Sequence, residues 1–339
     1  MSVPFVSVIM PIHNEEQFIE RSLSAVLEQS YPHDRYEILI ADGMSNDKTV
    51  ALVEATPDHE RIRIIQNSKR LQSPGLNALI QIAQGEIIVR VDAHTIIAAD
   101  YIAQCVAELQ ETGAANVGGQ MHAEATTITG QAIALAMHSR FAVPTAFHVG
   151  SSGQFTDTVY MGAWPKQILV AVGGFDERLR ANEDYELNVR IRSNGGTIYL
   201  SPKIRSTYYG RQTFPTLARQ YFIYGTAKVN TLRKHPTSLR FRQTVAPLFV
   251  AVLLLGIPLA VWFPLARIVW IAIIGMYIFC SLFFSLLNVR RSTLTIAFRI
   301  PLVYATMHIS WGLGFWSGWL TNKSHRYPVQ LANNPTQIS

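Results

Sequence analysis

The sequence predicts an α/β fold, with a mostly parallel sheet flanked by helices, followed by a C-terminal transmembrane helical region. Three observations support this prediction. Short apolar runs alternate with amphipathic segments as far as about residue 125, acidic residues stop at Glu186, and long uncharged apolar runs fill the C-terminal third. Alternating strands and helices are typical of a parallel sheet covered on both faces, and long apolar runs are typical of membrane spans.

The N-terminal part predicts parallel strands joined by helices. Four short runs rich in Val and Ile are typical of buried strands, and four other segments carry apolar residues at helical spacing. In sheets of this kind, ligands bind beyond the carboxyl ends of the strands. The strands are predicted at Phe5–Met10, Tyr36–Ala41, Arg61–Ile65 and Glu86–Val91, and the helices at Glu15–Gln29, Asp47–Ala55, Pro74–Ala83 and Ala99–Glu111.

Charge is distributed unevenly along the chain. All 23 acidic residues lie at or before Glu186 with 12 Lys and Arg, whereas residues 187–339 hold the other 17 Lys and Arg and no carboxylate. A basic half of this kind can bind nucleic acid. Here long apolar runs interrupt the basic residues, so we expect membrane lipids as a partner and no nucleic acid. The two cysteines, Cys105 and Cys280, form no CxxC motif, which favours a cytosolic compartment.

Three apolar runs are candidates for membrane spans. Val245–Phe263 and Ile268–Leu287 carry no charge and approach the roughly 20 residues that cross a bilayer. A third run, Pro301–Leu320, contains His308. Basic residues lie before the first run and after the second, which predicts that these two flanking segments face the cytoplasm. A buried helix of a soluble protein is the alternative for each run. The sequence thus predicts two to three transmembrane helices within residues 243–320, and a polar tail at 321–339.

Polar residues follow three of the predicted strands. His13 to Glu15 come after the first strand, Asp42 after the second, and Asp92-Ala93-His94 after the fourth. A carboxylate and an imidazole separated by one residue could supply two ligands of a metal site. Neither GxGxxG nor GxxxxGK[ST] occurs, so the dinucleotide fingerprint and the P-loop are not indicated.

Four segments together resemble a known family. "VSVIMPIHNEE", "ILIADGMSNDKT", "GEIIVRVDAHT" and "GGFDERLRANEDYELNVRIRSNGG" have the order and spacing of the family 2 glycosyltransferases. Among these the chain most resembles the membrane-associated bacterial succinoglycan glucosyltransferase type, which builds exopolysaccharide repeat units on a lipid carrier. The resemblance covers roughly residues 5–242. It implies a GT-A catalytic domain at 1–215, with a nucleotide-sugar half at about 1–125 and an acceptor half at about 126–215.

The resemblance also implies roles for individual residues. It implies inverting transfer from a UDP-linked sugar, glucose in the nearest type, with Asp184 of the Glu183-Asp184 pair as general base. Asp92 would hold a divalent cation, Mn²⁺ or Mg²⁺, against the diphosphate. His94 would be a second ligand, direct or through water, or else a strand-end residue with no metal role. Donor contacts are implied for Pro11, His13, Glu15, Asp42 and Asp92, with Lys69 or Arg70 as diphosphate partners.

The segment Thr216–Arg242 mixes aromatic and basic residues and resembles an interfacial helix region, placed at 216–242. A helix packed on the sheet is the alternative. Processive relatives carry a Gln-x-x-Arg-Trp motif on the acceptor side. Its nearest match here runs from Gln220 to Tyr224 and lacks the Arg, which predicts addition of a single sugar.

The resulting hypothesis is a non-processive transferase of exopolysaccharide biosynthesis at the bacterial inner (cytoplasmic) membrane, with its catalytic domain on the cytoplasmic side. A lipid-linked saccharide acceptor and polysaccharide-assembly proteins are the expected partners. Two alternatives remain open. One is nucleotidyl transfer, although "MPIHNEEQF" lacks the Gly and Arg of its usual phosphate loop. The other is a membrane-anchored sugar-nucleotide sensor or assembly partner without transferase activity.

Overall fold

The computed structural model describes residues 3–142, 152–289 and 293–321. Within them the chain divides into two compact units. The first comprises residues 3–122 and 152–209, and the second comprises residues 123–142 and the described residues from 210 onward. The predicted polar tail lies outside the described residues from residue 322 on.

The first unit is built on a twisted sheet whose first half is parallel. Strand β1 pairs in parallel with β2 on one side and β4 on the other, and β2 pairs in parallel with β3. These are the four predicted strands, so that prediction is confirmed. Their bounds are β1 Val6–Ile12, β2 Tyr36–Asp42, β3 Ile62–Gln66 and β4 Ile87–Arg90.

The second half of the sheet is antiparallel, which the sequence did not predict. β4 pairs antiparallel with β8, and β9 pairs antiparallel with both β5 and β7. In the described residues the sheet order is β3-β2-β1-β4-β8-β6-β9-β5, with β7 beside β9. The additional strands are β5 Thr95–Ile97, β6 Asn116–Glu124, β7 Gln154–Phe155, β8 Tyr160–Pro165 and β9 Ile198–Tyr209.

Helices cover both faces of this sheet. Successive residues of a strand point to opposite faces, so each strand contributes side chains to the packing on both sides. On β1, Val8 and Met10 join one buried cluster with α1 and α4, and Ile9 joins another with α3 and α7. Both clusters are apolar, which explains why these strands lack polar alternation. The helices of this unit are α1 Ile19–Leu27, α2 Thr49–Glu54, α3 Gln72–Ile82, α4 Tyr101–Thr112, α6 Lys166–Ala171 and α7 Glu183–Ser193; α5 Ile128–Met137 belongs to the second unit.

The second unit is helical. The helices that follow α5 are α8 Phe214–Lys234, α9 Val245–Trp262, α10 Pro264–Val289, α11 Leu294–Ala297 and α12 Ile300–Thr321. Among the described helices, two stretches are long and apolar enough to cross a membrane, Phe241–Trp262 and Pro264–Leu287. Only 17% and 11% of their most apolar stretches are buried within the protein, so most of their apolar side chains lie on its surface.

The third predicted span forms α12, but it is not one of these two. Its face that includes Tyr304, Met307 and Phe315 is buried. It lies against α8, where Thr226 Oγ1 donates to the Gly314 carbonyl at 3.0 Å. The predicted interfacial region therefore contains a helix that packs on α12. Its location in the headgroup layer stays a prediction.

Candidate functional site

The loops after β1 and β2 are joined by hydrogen bonds. The Asn14 amide donates to Ser45 Oγ at 3.0 Å, and the Glu15 amide donates to Thr49 Oγ1 at 2.7 Å. The helix α1 begins at Ile19 and not at the predicted Glu15. Glu15 is therefore held at the carboxyl edge of the sheet.

The nucleotide-binding residues predicted on β1 and β2 lie next to one another. Pro11 lies opposite Ala41 in the sheet, and Asp42 follows it. Asp42 is 6% exposed, and its carboxylate accepts from the Ser45 amide at 3.1 Å. At Gly43, a Cβ atom would lie 3.2 Å from the Cβ of His13, so His13 lies directly beside the turn after β2.

His94 contacts Glu15. Its Nδ1 atom lies 3.2 Å from Glu15 Oε1, and its ring meets the ring of Tyr208 edge to face with centroids 5.3 Å apart. The loop after β4 is thus joined to the loop after β1 by two of the predicted donor-side residues. The metal role of His94 stays a prediction.

A buried arginine joins Asp92 to the Glu183-Asp184 pair; these two acidic positions are called the two acidic stations. Arg90, on β4, is 2% exposed. Its Nε donates to Asp92 Oδ1 at 2.8 Å and its Nη2 donates to Asp92 Oδ2 at 3.3 Å. Its Nη1 donates to Asp184 Oδ1, and both terminal nitrogens lie 3.5 Å from Glu183 Oε1. One guanidinium therefore contacts the carboxylate of Asp92 and both carboxylates at the start of α7.

Gln72 completes this cluster from the first turn of α3. With its amide oxygen toward Arg90 Nη2, at 2.5 Å, its nitrogen donates to Glu183 Oε1 at 3.1 Å. Both ends of the amide are then satisfied. Neither Arg90 nor Gln72 was predicted from the sequence as a site residue. The available signal for Arg90 was a single cation within an otherwise apolar buried strand, two residues before Asp92.

The cluster has an excess of negative charge. Three carboxylates surround one guanidinium, which leaves a formal charge of −2 when all are ionised. Burial raises the pKa of Asp184 to about 8; Arg90 opposes this rise, and the charges of Glu183 and Asp92 add to it. Burial disfavours the charged form of Arg90, but Asp184, Asp92 and Glu183 outweigh burial and raise its pKa.

A second ion pair joins Glu186 and Arg190, which lie one turn apart on α7. Glu186 is fully buried, and Arg190 Nη2 donates to its Oε2 at 2.7 Å. The same nitrogen donates to the Gly174 carbonyl at 2.6 Å. Asn77 of α3 pairs with both backbone groups of Phe175, accepting at 2.8 Å and donating at 2.9 Å. These contacts tie the segment before α7 to α3 and to the middle of α7.

The two predicted diphosphate partners differ in their contacts. Lys69 Nζ lies 2.6 Å from Glu177 Oε2, although 65% of the Lys69 side chain is exposed. Hydrogen bonds from Lys69 and Asn77 lower the pKa of Glu177. Arg70 has a left-handed backbone, with φ of 55°.

The two residues predicted on the acceptor side belong to the helical unit. Gln220 Nε2 donates to Tyr224 OH at 2.8 Å, one helical turn along α8. The rings of Tyr221 and Tyr224 lie 5.8 Å apart between centroids. The match to the processive motif thus forms one face of a helix, and its acceptor role stays a prediction.

Comparison with known proteins identifies the family. The profile of glycosyl transferase family 2 matches residues 7–148. The chain is 30% identical over 319 residues to the succinoglycan biosynthesis protein ExoA of Rhizobium meliloti (strain 1021), which covers 91% of this chain and 93% of that protein. The chain belongs to glycosyl transferase family 2. As a glycosyltransferase of this family, it uses a nucleotide-sugar donor and a saccharide acceptor.

Other similarities agree with this assignment. A dolichyl N-acetyl-α-D-glucosaminyl phosphate 3-β-D-2,3-diacetamido-2,3-dideoxy-β-D-glucuronosyltransferase of Methanococcus voltae is 30% identical over 239 residues, covering 68% of this chain and 74% of that enzyme. The mannosyltransferase PcManGT of Pyrobaculum calidifontis, solved with GDP-Man and Mn²⁺, has a TM-score of 0.59 at 18% identity and covers 94% of this chain and 88% of that one. The predicted GT-A fold of the glycosyltransferase is confirmed.

The possible metal ligands at this site fit a divalent cation held by one protein carboxylate. In the part of the chain that the structure describes, no three His, Cys, Asp or Glu side chains group around a common metal position. Each oxygen of Asp92 accepts from Arg90, and a carboxylate oxygen can accept more than one contact. The excess of carboxylates over cations in the cluster favours a cation. Hard divalent cations commonly take one or two carboxylates and fill the remaining positions with water and phosphate.

Proposed function

We propose that this glycosyltransferase moves one sugar, glucose as first candidate, with inversion from a UDP-linked donor to a lipid-linked or polysaccharide acceptor. The observation that carries the proposal is the contact of one buried guanidinium with both acidic stations. Arg90 holds Asp92 on one edge and Asp184 on the other. A direct displacement uses a base on the acceptor face of the sugar and stabilisation of negative charge on the leaving-group face, and Asp184 and Asp92 are the residues proposed for these two roles.

On the donor side, the loops after β1, β2 and β4 form the proposed nucleotide-sugar site. Pro11, His13, Glu15 and Asp42 lie on adjacent strand ends, as expected for ligand binding in an open α/β sheet. Asp92 would hold Mn²⁺ or Mg²⁺ there. When bound, such an ion neutralises the negative charge that develops on the leaving diphosphate. Lys69 and Arg70 are proposed as further phosphate contacts.

On the acceptor side, Asp184 is the proposed general base. One quarter of its side chain is exposed, compared with 9% of the Glu183 side chain, so Asp184 is the more accessible of the two. The carboxylate of Asp184 takes the proton of the acceptor hydroxyl as its oxygen bonds to the anomeric carbon. The bond from that carbon to the phosphate oxygen breaks, and the nucleoside diphosphate leaves with the electron pair. A base whose pKa lies near the working pH suits this proton transfer.

The acceptor class is proposed from the helical unit and from the relatives. Two described helices are long and apolar enough to cross a membrane, which supports association with the bacterial inner membrane. One relative is named for succinoglycan biosynthesis and another for a dolichyl phosphate-linked sugar. The first name supports an acceptor in polysaccharide assembly, and the second supports a lipid-linked saccharide. We infer that the first unit is cytoplasmic, since basic residues precede the first apolar run.

The donor is tested by a thermal-shift screen of the detergent-solubilised protein. UDP-, GDP- and dTDP-sugars are compared, each with Mg²⁺, Mn²⁺ or chelator. A ligand at 100 times its dissociation constant stabilises the folded state by roughly 2.7 kcal/mol, which is measurable. Stabilisation by UDP-sugars that needs a metal is expected. Equal stabilisation in chelator would remove the metal role of Asp92, and stabilisation by another nucleotide would change the donor.

The stereochemistry is tested by NMR of the product. An α-linked nucleotide sugar should give a β-linked product, because one displacement inverts the anomeric carbon. An α-linked product would contradict the single displacement. Donor binding without transfer to any lipid-linked or polysaccharide acceptor would favour the alternative, a membrane-anchored sugar-nucleotide binding or assembly partner.

A further inference from the structure

We propose that Arg90 is a positioning residue, which fixes the general base Asp184 relative to the donor-side carboxylate Asp92. This inference rests on the proposed function, since it assigns those two carboxylates to opposite sides of the reaction. It goes further in stating what aligns the two sides. Arg90 itself need not touch either substrate.

The guanidinium contacts the two stations with different edges. The Nε–Nη2 edge donates to both oxygens of Asp92, at 2.8 and 3.3 Å, and Nη1 donates to Asp184 Oδ1. A guanidinium is planar and carries five donors in a fixed arrangement. The position of one carboxylate therefore determines the position of the other.

The surroundings hold this arginine in place. Only 3% of its side chain is exposed, and Glu183 Oε1 lies 3.5 Å from both terminal nitrogens. The Gln72 amide contacts both Arg90 and Glu183. Lysine would keep the charge, but an ammonium cannot make two fixed, divergent contacts. The arrangement therefore depends on the guanidinium shape as well as on its charge.

Arg190 offers a matched control. It also binds a buried carboxylate of α7, that of Glu186, and it also supports the backbone before this helix. Among the contacts in the described residues, it bonds to neither Asp92 nor Asp184. If Arg90 only stabilises α7, its substitution should have the same effect on kcat as substitution of Arg190. If Arg90 positions Asp184, its substitution should lower kcat further.

The test compares Arg90→Lys with Arg190→Lys in the full-length protein, using the donor selected by the thermal-shift screen, UDP-glucose in the proposal. Three rates or constants are measured: transfer to a lipid-diphosphate monosaccharide, the donor KM, and hydrolysis of the donor by water. Displacement of a catalytic group by about 1 Å can lower a rate by roughly 100-fold. Arg90→Lys should lower kcat for transfer by about that factor.

The other readouts separate positioning from stability. The donor KM of Arg90→Lys should change much less than kcat, because Asp92 itself is still present on the donor side whereas the alignment of Asp184 is lost. Hydrolysis should fall less than transfer, because a small water molecule can reach a displaced base. Arg190→Lys should lower the melting temperature while leaving kcat within about threefold of the parent.

Two results would overturn the proposal. One is a kcat of Arg90→Lys no lower than that of Arg190→Lys. The other is an equal fall of hydrolysis and transfer. If Arg90→Lys does not fold, Gln72→Ala takes its place. It removes no charge and should lower kcat by roughly tenfold at constant donor KM, and an unchanged kcat would overturn the proposal.

Failure of this inference and failure of the proposed function give different results. If Asp184→Asn retains transfer, the base assignment itself fails. If Asp184→Asn loses transfer while Arg90→Lys and Gln72→Ala keep it, only the role of Arg90 fails.

Discussion

Glu15 and His94 lie in contact, with Oε1 of Glu15 3.2 Å from Nδ1 of His94. The first residue follows β1 and the second follows β4, so the contact joins the loops of two neighbouring parallel strands. Glu15 is buried, and 27% of the His94 side chain is exposed. The pair thus contributes one wall of the proposed donor site.

The first prediction concerns this pair. Glu15→Ala and His94→Ala should each weaken donor binding by roughly fivefold, because each loses one hydrogen bond worth about 1 kcal/mol. The double variant should bind little worse than either single variant, since both remove the same contact. Calorimetric titration with UDP and Mn²⁺ measures this, and Glu20→Gln on the exposed face of α1 is the control. Additive losses would mean that the two side chains act on the donor separately.

The second prediction concerns pH and stability without donor. In the unfolded chain, Asp184 titrates near its ordinary value of about 4, whereas in the folded protein burial raises its pKa to about 8. The folded state keeps a proton that the unfolded state has lost. Stability from this group is therefore complete below pH about 4 and is lost as the pH rises through about 8.

Melting curves between pH 5 and pH 8.5 test this sign. The parent should lose on the order of 5 °C over this range, and Asp184→Asn should lose less, because its amide does not titrate. Glu111→Gln, an exposed acid on α4, should keep the decline of the parent. A decline unchanged by Asp184→Asn would contradict the assignment.

The third prediction concerns the helical unit. A Cβ at Gly314 would lie 2.0 Å from the Phe222 carbonyl oxygen, and one at Gly225 would lie 2.1 Å from that of Trp311. Gly314→Ala should therefore separate α8 from α12 and lower stability by about 3 kcal/mol. Gly275 of α10 has no atom within 4 Å of a built Cβ, so Gly275→Ala should be neutral or stabilising by up to about 1 kcal/mol. Thermal melting in detergent measures both, and equal melting would contradict the close α8–α12 contact.

The parallel half of the fold was predictable, and the antiparallel half was not. Runs such as Val6–Ile12 are continuously apolar because both faces are covered, and they give a strong signal in the sequence. Strand β9 carries Lys203, Arg205 and several hydroxyl groups, so its sequence does not show a buried strand. Its place in the sheet depends on pairing with residues more than 100 positions earlier, such as Tyr208 with Thr95.

The candidate site was predictable by residue type but not by contact. Asp92 and Asp184 were found separately, Asp92 at a strand end and Asp184 from the resemblance to the family. Their common partner Arg90 was not found, because a cation within a strand predicts neither burial nor a contact 94 positions away. The contact of His94 with Glu15 was missed for the same reason. Spacing along the chain identified the functional groups, and only the fold brings them together.

Asp184 is proposed as the base on the acceptor side, and a paired measurement on two neighbouring acids tests this role. Sugar transfer and nucleotide binding are measured on Asp184→Asn, with Glu183→Gln as the matched neighbour. Because general base catalysis contributes roughly 100- to 10,000-fold, kcat of Asp184→Asn should fall at least about 100-fold while the dissociation constant for UDP with Mn²⁺ stays nearly unchanged. Glu183→Gln should lose much less. Substantial transfer by Asp184→Asn, or a larger loss in Glu183→Gln, would contradict the claim.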